Sequence, residues 1–121
     1  MWTAFDYMYR DAGNFKAFGT VVLEGHLQPE DQRLIRERLS GREFFIAEQV
    51  GVPTLYRQLY EWSGGPTKDD HCWHEFIEFR ELAEPPVKPV AMTASELLKR
   101  FEKVEDWNEG LSRHFWLDGH L

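Results

Sequence analysis

Hydrophobic and polar residues alternate at the start of the chain. Phe5, Tyr7 and Tyr9 fall on one side, with Asp6, Met8 and Arg10 between them. A period of two predicts a half-buried strand. Asp11-Ala12-Gly13-Asn14 then reads as a turn, opened by Asp and with Gly supplying the positive φ. Phe15 to Glu24 is rich in β-branched and aromatic residues and predicts the return strand of a hairpin, which Gly25 ends.

The period then changes. Pro29 suits a first helical position, and Glu30 and Asp31 complement the N-terminal dipole. Leu34, Ile35 and Leu39 form the buried stripe, and Gly41 is a stop. Glu43-Phe44-Phe45-Ile46-Ala47 predicts a short third strand. Pro53 opens a second helix whose wide apolar face is Leu55, Tyr56, Leu59, Tyr60 and Trp62, and Ser63-Gly64-Gly65-Pro66 closes it. Phe76-Ile77-Glu78-Phe79-Arg80 continues as a fourth strand. Glu84 to Pro89 is too rich in proline for regular structure. Thr93-Ala94-Ser95-Glu96 is a capping box, with Met92 and Leu97 as its staple and Leu97, Leu98, Phe101 and Val104 as the buried face of a third helix.

The order β-β-α-β-α-β-α predicts an α+β domain: a mainly antiparallel sheet of about four strands with three helices, spanning residues 1–121. The aromatic segment 106–121, with Trp107, Phe115, Trp116 and Leu117, is too apolar for a solvated tail. It is expected to dock on the domain or on a partner.

Charge narrows the partners. The 121 residues carry a formal net charge of −7. Residues 1–60 hold eight acids against seven Lys and Arg, or −1; residues 61–121 hold thirteen against seven, or −6. Nucleic acid and anionic membranes both select for a positive patch, so neither is an expected partner. Arg33, Arg36, Arg38 and Arg42 come nearest to one, but Glu30, Asp31, Glu37 and Glu43 dilute them. No run approaches the roughly 18 apolar residues of a membrane span, and the N-terminus lacks the basic region of a signal peptide. A single cysteine excludes an internal disulfide. The expected compartment is cytoplasmic.

Candidate chemistry concentrates in Asp69-Asp70-His71-Cys72-Trp73-His74-Glu75. If this stretch is extended, Cys72 and His74 share one face, while His71, Trp73 and Glu75 share the other. A metal would draw on Cys72, His74 and Asp70, helped by His26, His114 or His120, but the paired ligands of a closed zinc site are absent, so no metal or cofactor is assigned. A Cys72–His74 nucleophile pair would span about 6.6 Å at Cα, which is not typical of thiolate–imidazole pairs. Acid–base work by Asp69, Asp70 and His71 at the loop–strand junction is the sharpest catalytic reading. The bland reading outweighs it: Asp69 and Asp70 as turn residues, Trp73 with Ile77 and Phe79 facing the core, and His71 at its edge.

Two other places are candidates for binding. Arg10, Asp11 and Asn14 stand at the hairpin tip, where Arg10 could hold a carboxylate or phosphate; the simpler view is an Arg10–Asp11 surface contact beside an Asp/Asn turn. Trp107, Phe115 and Trp116 could anchor a partner.

Tyr9-Arg10-Asp11-Ala12-Gly13-Asn14, Glu43 to Pro53 and Thr67 to Glu75 together resemble a group of small uncharacterised bacterial proteins. The resemblance covers about the first two-thirds of the chain. It implies a bacterial, cytosolic setting and brings no activity, substrate or cofactor.

The expectation is therefore a small acidic interaction module that binds another protein or itself, in the manner of inhibitor, immunity-type or anti-defence proteins, rather than an enzyme. The alternative is a small enzyme or ligand-binding protein that uses Asp69, Asp70 and His71 near the Arg10–Asn14 tip.

Overall fold

Phe5, Tyr7 and Tyr9 lie side by side on one face of strand β1 (Trp2–Arg10), each no more than 1% exposed, and the core is built outward from them. The computed structural model describes residues 1–63, 71–87, 90 and 92–112, with backbone only for Trp62 and Ser63. β1 pairs antiparallel with β2 (Lys16–Glu24) along its full length, from Trp2 opposite Glu24 to Arg10 opposite Lys16. The hairpin tip carries its left-handed residue at Asn14, with φ 68°, and not at the expected Gly13. Asn tolerates this region because its short amide bonds locally; here Asn14 Oδ1 accepts from Arg10 Nη1 at 3.1 Å.

Helix α1 (Pro29–Arg38) starts at the proline, and Asp31 accepts from the Gln28 amide in front of it. It buries Ile35 and lays the Arg36 guanidinium over the rings of Phe76 and Phe79. The chain turns through Gly41 and Arg42, both at positive φ, into the short strand β3 (Phe44–Ile46). A single helical turn, α2 (Ala47–Val50), follows, capped by Gly51 at φ 73°.

The next helix, α3 (Tyr56–Ser63), begins three residues later than Pro53 suggests. The cause is tertiary. The Pro53 carbonyl accepts from the Tyr7 hydroxyl at 2.6 Å, and the Leu55 amide donates to His74 Nε2 at 3.1 Å. Both bonds hold this stretch against the sheet before the helix can start.

β4 (Trp73–Leu82) pairs antiparallel with both β1 and β3. β5 (Met92–Thr93) pairs parallel with β2 at Leu23 and Glu24, and Thr93 then caps helix α4 (Ala94–Glu102), its hydroxyl accepting from the Glu96 amide at 3.0 Å. Such a cap contributes about 1 kcal/mol.

The sheet order is β3-β4-β1-β2-β5. The α+β class and the antiparallel centre agree with the sequence reading. The count does not: the described residues form five strands in a mixed sheet and four helices, because β5 and α2 are too short to show any period.

One irregularity decides how β4 is used. Asp6 lies opposite Glu78 and Tyr7 opposite Phe76, so Ile77 is an extra residue, a β-bulge. Phe76 and Phe79, three apart, therefore both reach the ring of Phe5, each with centroids at 5.5 Å. The core face of β4 is His74, Phe76 and Phe79. The expected core face of Trp73, Ile77 and Phe79 is thus corrected: Ile77 is 45% exposed and Trp73 is half-buried.

Candidate functional site

The polar junction before β4 is tied down by three contacts, two of them from Tyr9. Tyr9 donates its hydroxyl to the His71 carbonyl at 2.6 Å, and its ring meets the His71 imidazole edge-on at 5.4 Å. His71 Nδ1 accepts the Trp73 backbone N–H at 3.0 Å, closing a side-chain turn two residues on. An acceptor at Nδ1 puts the neutral ring's proton on Nε2. His71 is half-buried, and with Ser40, Phe44 and Trp73 it lines an open depression of about 420 Å³ at the β3 edge of the sheet. Asp69 and Asp70, which the catalytic reading places beside His71, lie outside the described residues.

His74 has a different environment. It is fully buried, ringed by Tyr7, Tyr9, Phe45 and Tyr56 at 5.0 to 6.0 Å between centroids. Its Nε2 is taken by the Leu55 amide, so it orders the loop ahead of α3.

Cys72 is also buried, 2% exposed. Burial pushes its thiol up to about 12, helped by the carboxylates of Glu109 and Glu48. A thiol so held is protonated at neutral pH and is a poor nucleophile. Cys72 and His74 share a face as expected, but it is the core face. Among the described residues, no group of three His, Cys, Asp or Glu side chains comes together to hold a metal ion.

Next to Cys72 lies a group that sequence reasoning missed. The Tyr56 hydroxyl bonds Glu48 at 3.2 Å and the Cys72 carbonyl at 3.0 Å, and it contacts the Ser112 hydroxyl at 3.3 Å. Ser112, itself fully buried, donates to Glu48. Burial raises the Tyr56 phenol far above its ordinary range. These residues come from α2, α3 and the segment after α4, at sequence separations that leave no local signature.

Trp107, a candidate anchor, is half-buried on its own domain. Its indole N–H donates to the Arg38 carbonyl at 2.9 Å, and its ring packs edge-on against Phe101 and Trp73. Gln49 secures the same segment, donating to the Asp106 carbonyl and accepting from the Asn108 amide. Phe115 and Trp116 lie outside the described residues.

At the hairpin tip, Arg10 pairs with Glu75 at 3.2 Å, while Asp11 is 8% exposed and accepts the Phe15 amide at 2.9 Å. Asp11 is a turn-closing residue, and the ion pair of Arg10 runs across the sheet to β4.

That pair belongs to the sheet face opposite the core. Along β1 this face shows Trp2, Ala4, Asp6, Met8 and Arg10, of which only Ala4 is buried. Met8 stands opposite Phe18, which is 60% exposed; Val22 stands opposite Ala4, and the bulged Ile77 shares the side of Glu78. Arg80 binds Asp6 at 2.5 and 3.1 Å and holds its carboxyl below the usual carboxylate range. The signal for this surface was present in the sequence: both faces of the first hairpin carry large apolar residues.

No family model, curated protein or solved structure matches this chain. Among the described residues no helix is long and apolar enough to cross a membrane.

Proposed function

We propose that this protein is an acidic interaction module that binds another protein through the sheet face opposite its core. The observation that carries the reading is the pair Phe18 and Ile77, 60% and 45% exposed on a face that also shows Trp2, Met8, Val22 and Leu82. Large aromatic and aliphatic groups gathered on one exposed face are the usual anchors of an interface. On this face the Asp6–Arg80 and Arg10–Glu75 pairs are internally balanced, which leaves Glu24 and Glu78, against Lys16 alone, to meet a partner.

The partner is a protein with a basic face and not a second copy. Each copy carries −7, so self-association sets like charge against like, whereas a basic partner is drawn in and oriented. Inhibitor, immunity-type and anti-defence proteins work in this way, as small acidic covers for a basic surface.

The test compares wild type with Phe18→Ser and Ile77→Ser, each checked for an unchanged fold by circular dichroism. Affinity purification from the expressing cells should recover a basic partner with wild type and lose it with both variants. Light scattering should find a monomer. A partner retained by both variants, or a dimer at micromolar concentration, would overturn the reading.

A further inference from the structure

The depression beside His71 has features the sheet face lacks, and neither surface depends on the other. Its volume of about 420 Å³ falls at the lower end of the range for small-molecule pockets, enough for one ring with a short substituent. Phe44 and Trp73 supply flat apolar walls. The polar groups are Ser40 and His71. The backbone of Ser40 is fully engaged with Phe44, both ways, at 2.7 and 3.0 Å, so its position is fixed while its hydroxyl is left to turn. The Trp73 N–H occupies His71 Nδ1, so the remaining ring nitrogen is Nε2–H, a donor. Among the described residues no hydrogen bond engages that nitrogen or the Ser40 hydroxyl.

We infer that this depression binds a small, flat, uncharged ring carrying a carbonyl oxygen, with the ring against Phe44 and Trp73 and the oxygen accepting from His71 Nε2–H. The charge preference follows from the surroundings. A carboxylate would meet the Glu109 carboxylate, which already bonds the Trp73 indole N–H at 2.7 Å, and the −7 of the whole chain. A cation would be set against an N–H donor. A neutral acceptor can be served by both His71 and Ser40 without adding charge. The Trp73 amide on Nδ1 and the Tyr9 ring at 5.4 Å hold the imidazole in place before any ligand arrives, which lowers the ordering cost of binding.

Three phenyl probes of different charge test this: benzamide, benzoate and benzyltrimethylammonium. Each is titrated into the full chain while the Trp73 backbone and indole N–H signals are followed by nuclear magnetic resonance. Benzamide should shift both signals saturably and bind more tightly than the other two. His71→Asp keeps an acceptor for the Trp73 amide, because an Asp side chain closes the same two-residue turn, but it carries no N–H. It should weaken benzamide about three- to tenfold, the usual effect of one hydrogen bond. Phe44→Ala should weaken all three probes.

The inference is overturned by no saturable shift with benzamide up to about 20 mM, a range that covers weak single-ring ligands. It is overturned equally if benzoate or the cation binds wild type more tightly, or if His71→Asp and Phe44→Ala bind benzamide as wild type does. Loss of the partner in Phe18→Ser with benzamide binding retained would show the two surfaces to be separate.

Discussion

The Tyr9 hydroxyl and the His71 carbonyl oxygen meet at 2.6 Å, joining the end of β1 to the turn that launches β4. Tyr9 is fully buried, so the phenol is placed by the core while its oxygen reaches the candidate site. Tyr9→Phe keeps the packing and removes the donor. It should lower unfolding stability by about 1–2 kcal/mol in denaturant titrations and broaden the His71 ring signals. An unchanged midpoint would mean that this bond adds nothing to the fold.

His74→Leu should cost more, about 2–4 kcal/mol. The substitution is close in size, but it strips the Leu55 amide of its acceptor inside the core. Hydrogen exchange should speed up first at Leu55 and along the first turn of α3, because that bond delays the helix start to Tyr56.

Cys72 makes stability fall with alkaline pH. The folded thiol keeps its proton to about 12, while an unfolded thiol loses it near pH 8.5. Between those values the unfolded chain binds fewer protons than the folded one, so each step up in pH favours unfolding. Tyr7 and Tyr56, whose phenols burial also raises, act in the same direction at higher pH. The denaturation midpoint should therefore decline from about pH 8.5 upward, and Cys72→Ala should flatten the first part of that decline. Ellman's reagent at neutral pH should leave the native thiol untouched and label it once the chain is unfolded.

Gly51 closes α2 at φ 73°, and a Cβ there would run into the Arg100 guanidinium, which bonds the Val50 carbonyl at 3.2 Å. Gly51→Ala should cost about 1–2 kcal/mol from the left-handed backbone and the displaced arginine. Gly41→Ala provides the comparison: it shares a positive φ but has open space around it, so it should lose only the backbone part. Equal losses would mean that Arg100 moves aside without cost.

The parts of this structure that could be read from the sequence are those governed by neighbours along the chain. Phe5, Tyr7 and Tyr9 declare a strand by alternation, Pro29 with Glu30 and Asp31 declares a helix start, and Thr93 with Glu96 declares a cap. Each is a rule over a few residues. The departures come where distant residues decide. Pro53 looks like a helix opener until Tyr7 and His74 hold its neighbourhood to the sheet. α2 and β5 are turns and pairings too brief to have a period.

The candidate site divides in the same way. The turn at His71 was legible as a polar junction because its bond to Trp73 is local. Glu48, Tyr56 and Ser112 were not, since nothing but the folded chain brings them to Cys72. The error over Trp73 and Ile77 had one cause. Strict alternation run back from Phe79 passes through Ile77, and a single unpaired residue reverses the assignments on its N-terminal side.

That residue gives β4 a margin that an ideal strand lacks. Ile77 is the one position in the ladder between β1 and β4 with no partner across from it. A chain shortened by that codon would still have Phe76 and Phe79 to set against Tyr7 and Phe5, with one pleat fewer between them. The bulge is thus a place where length itself can vary, and the exposed side chain that it carries is free to change with whatever the sheet face meets.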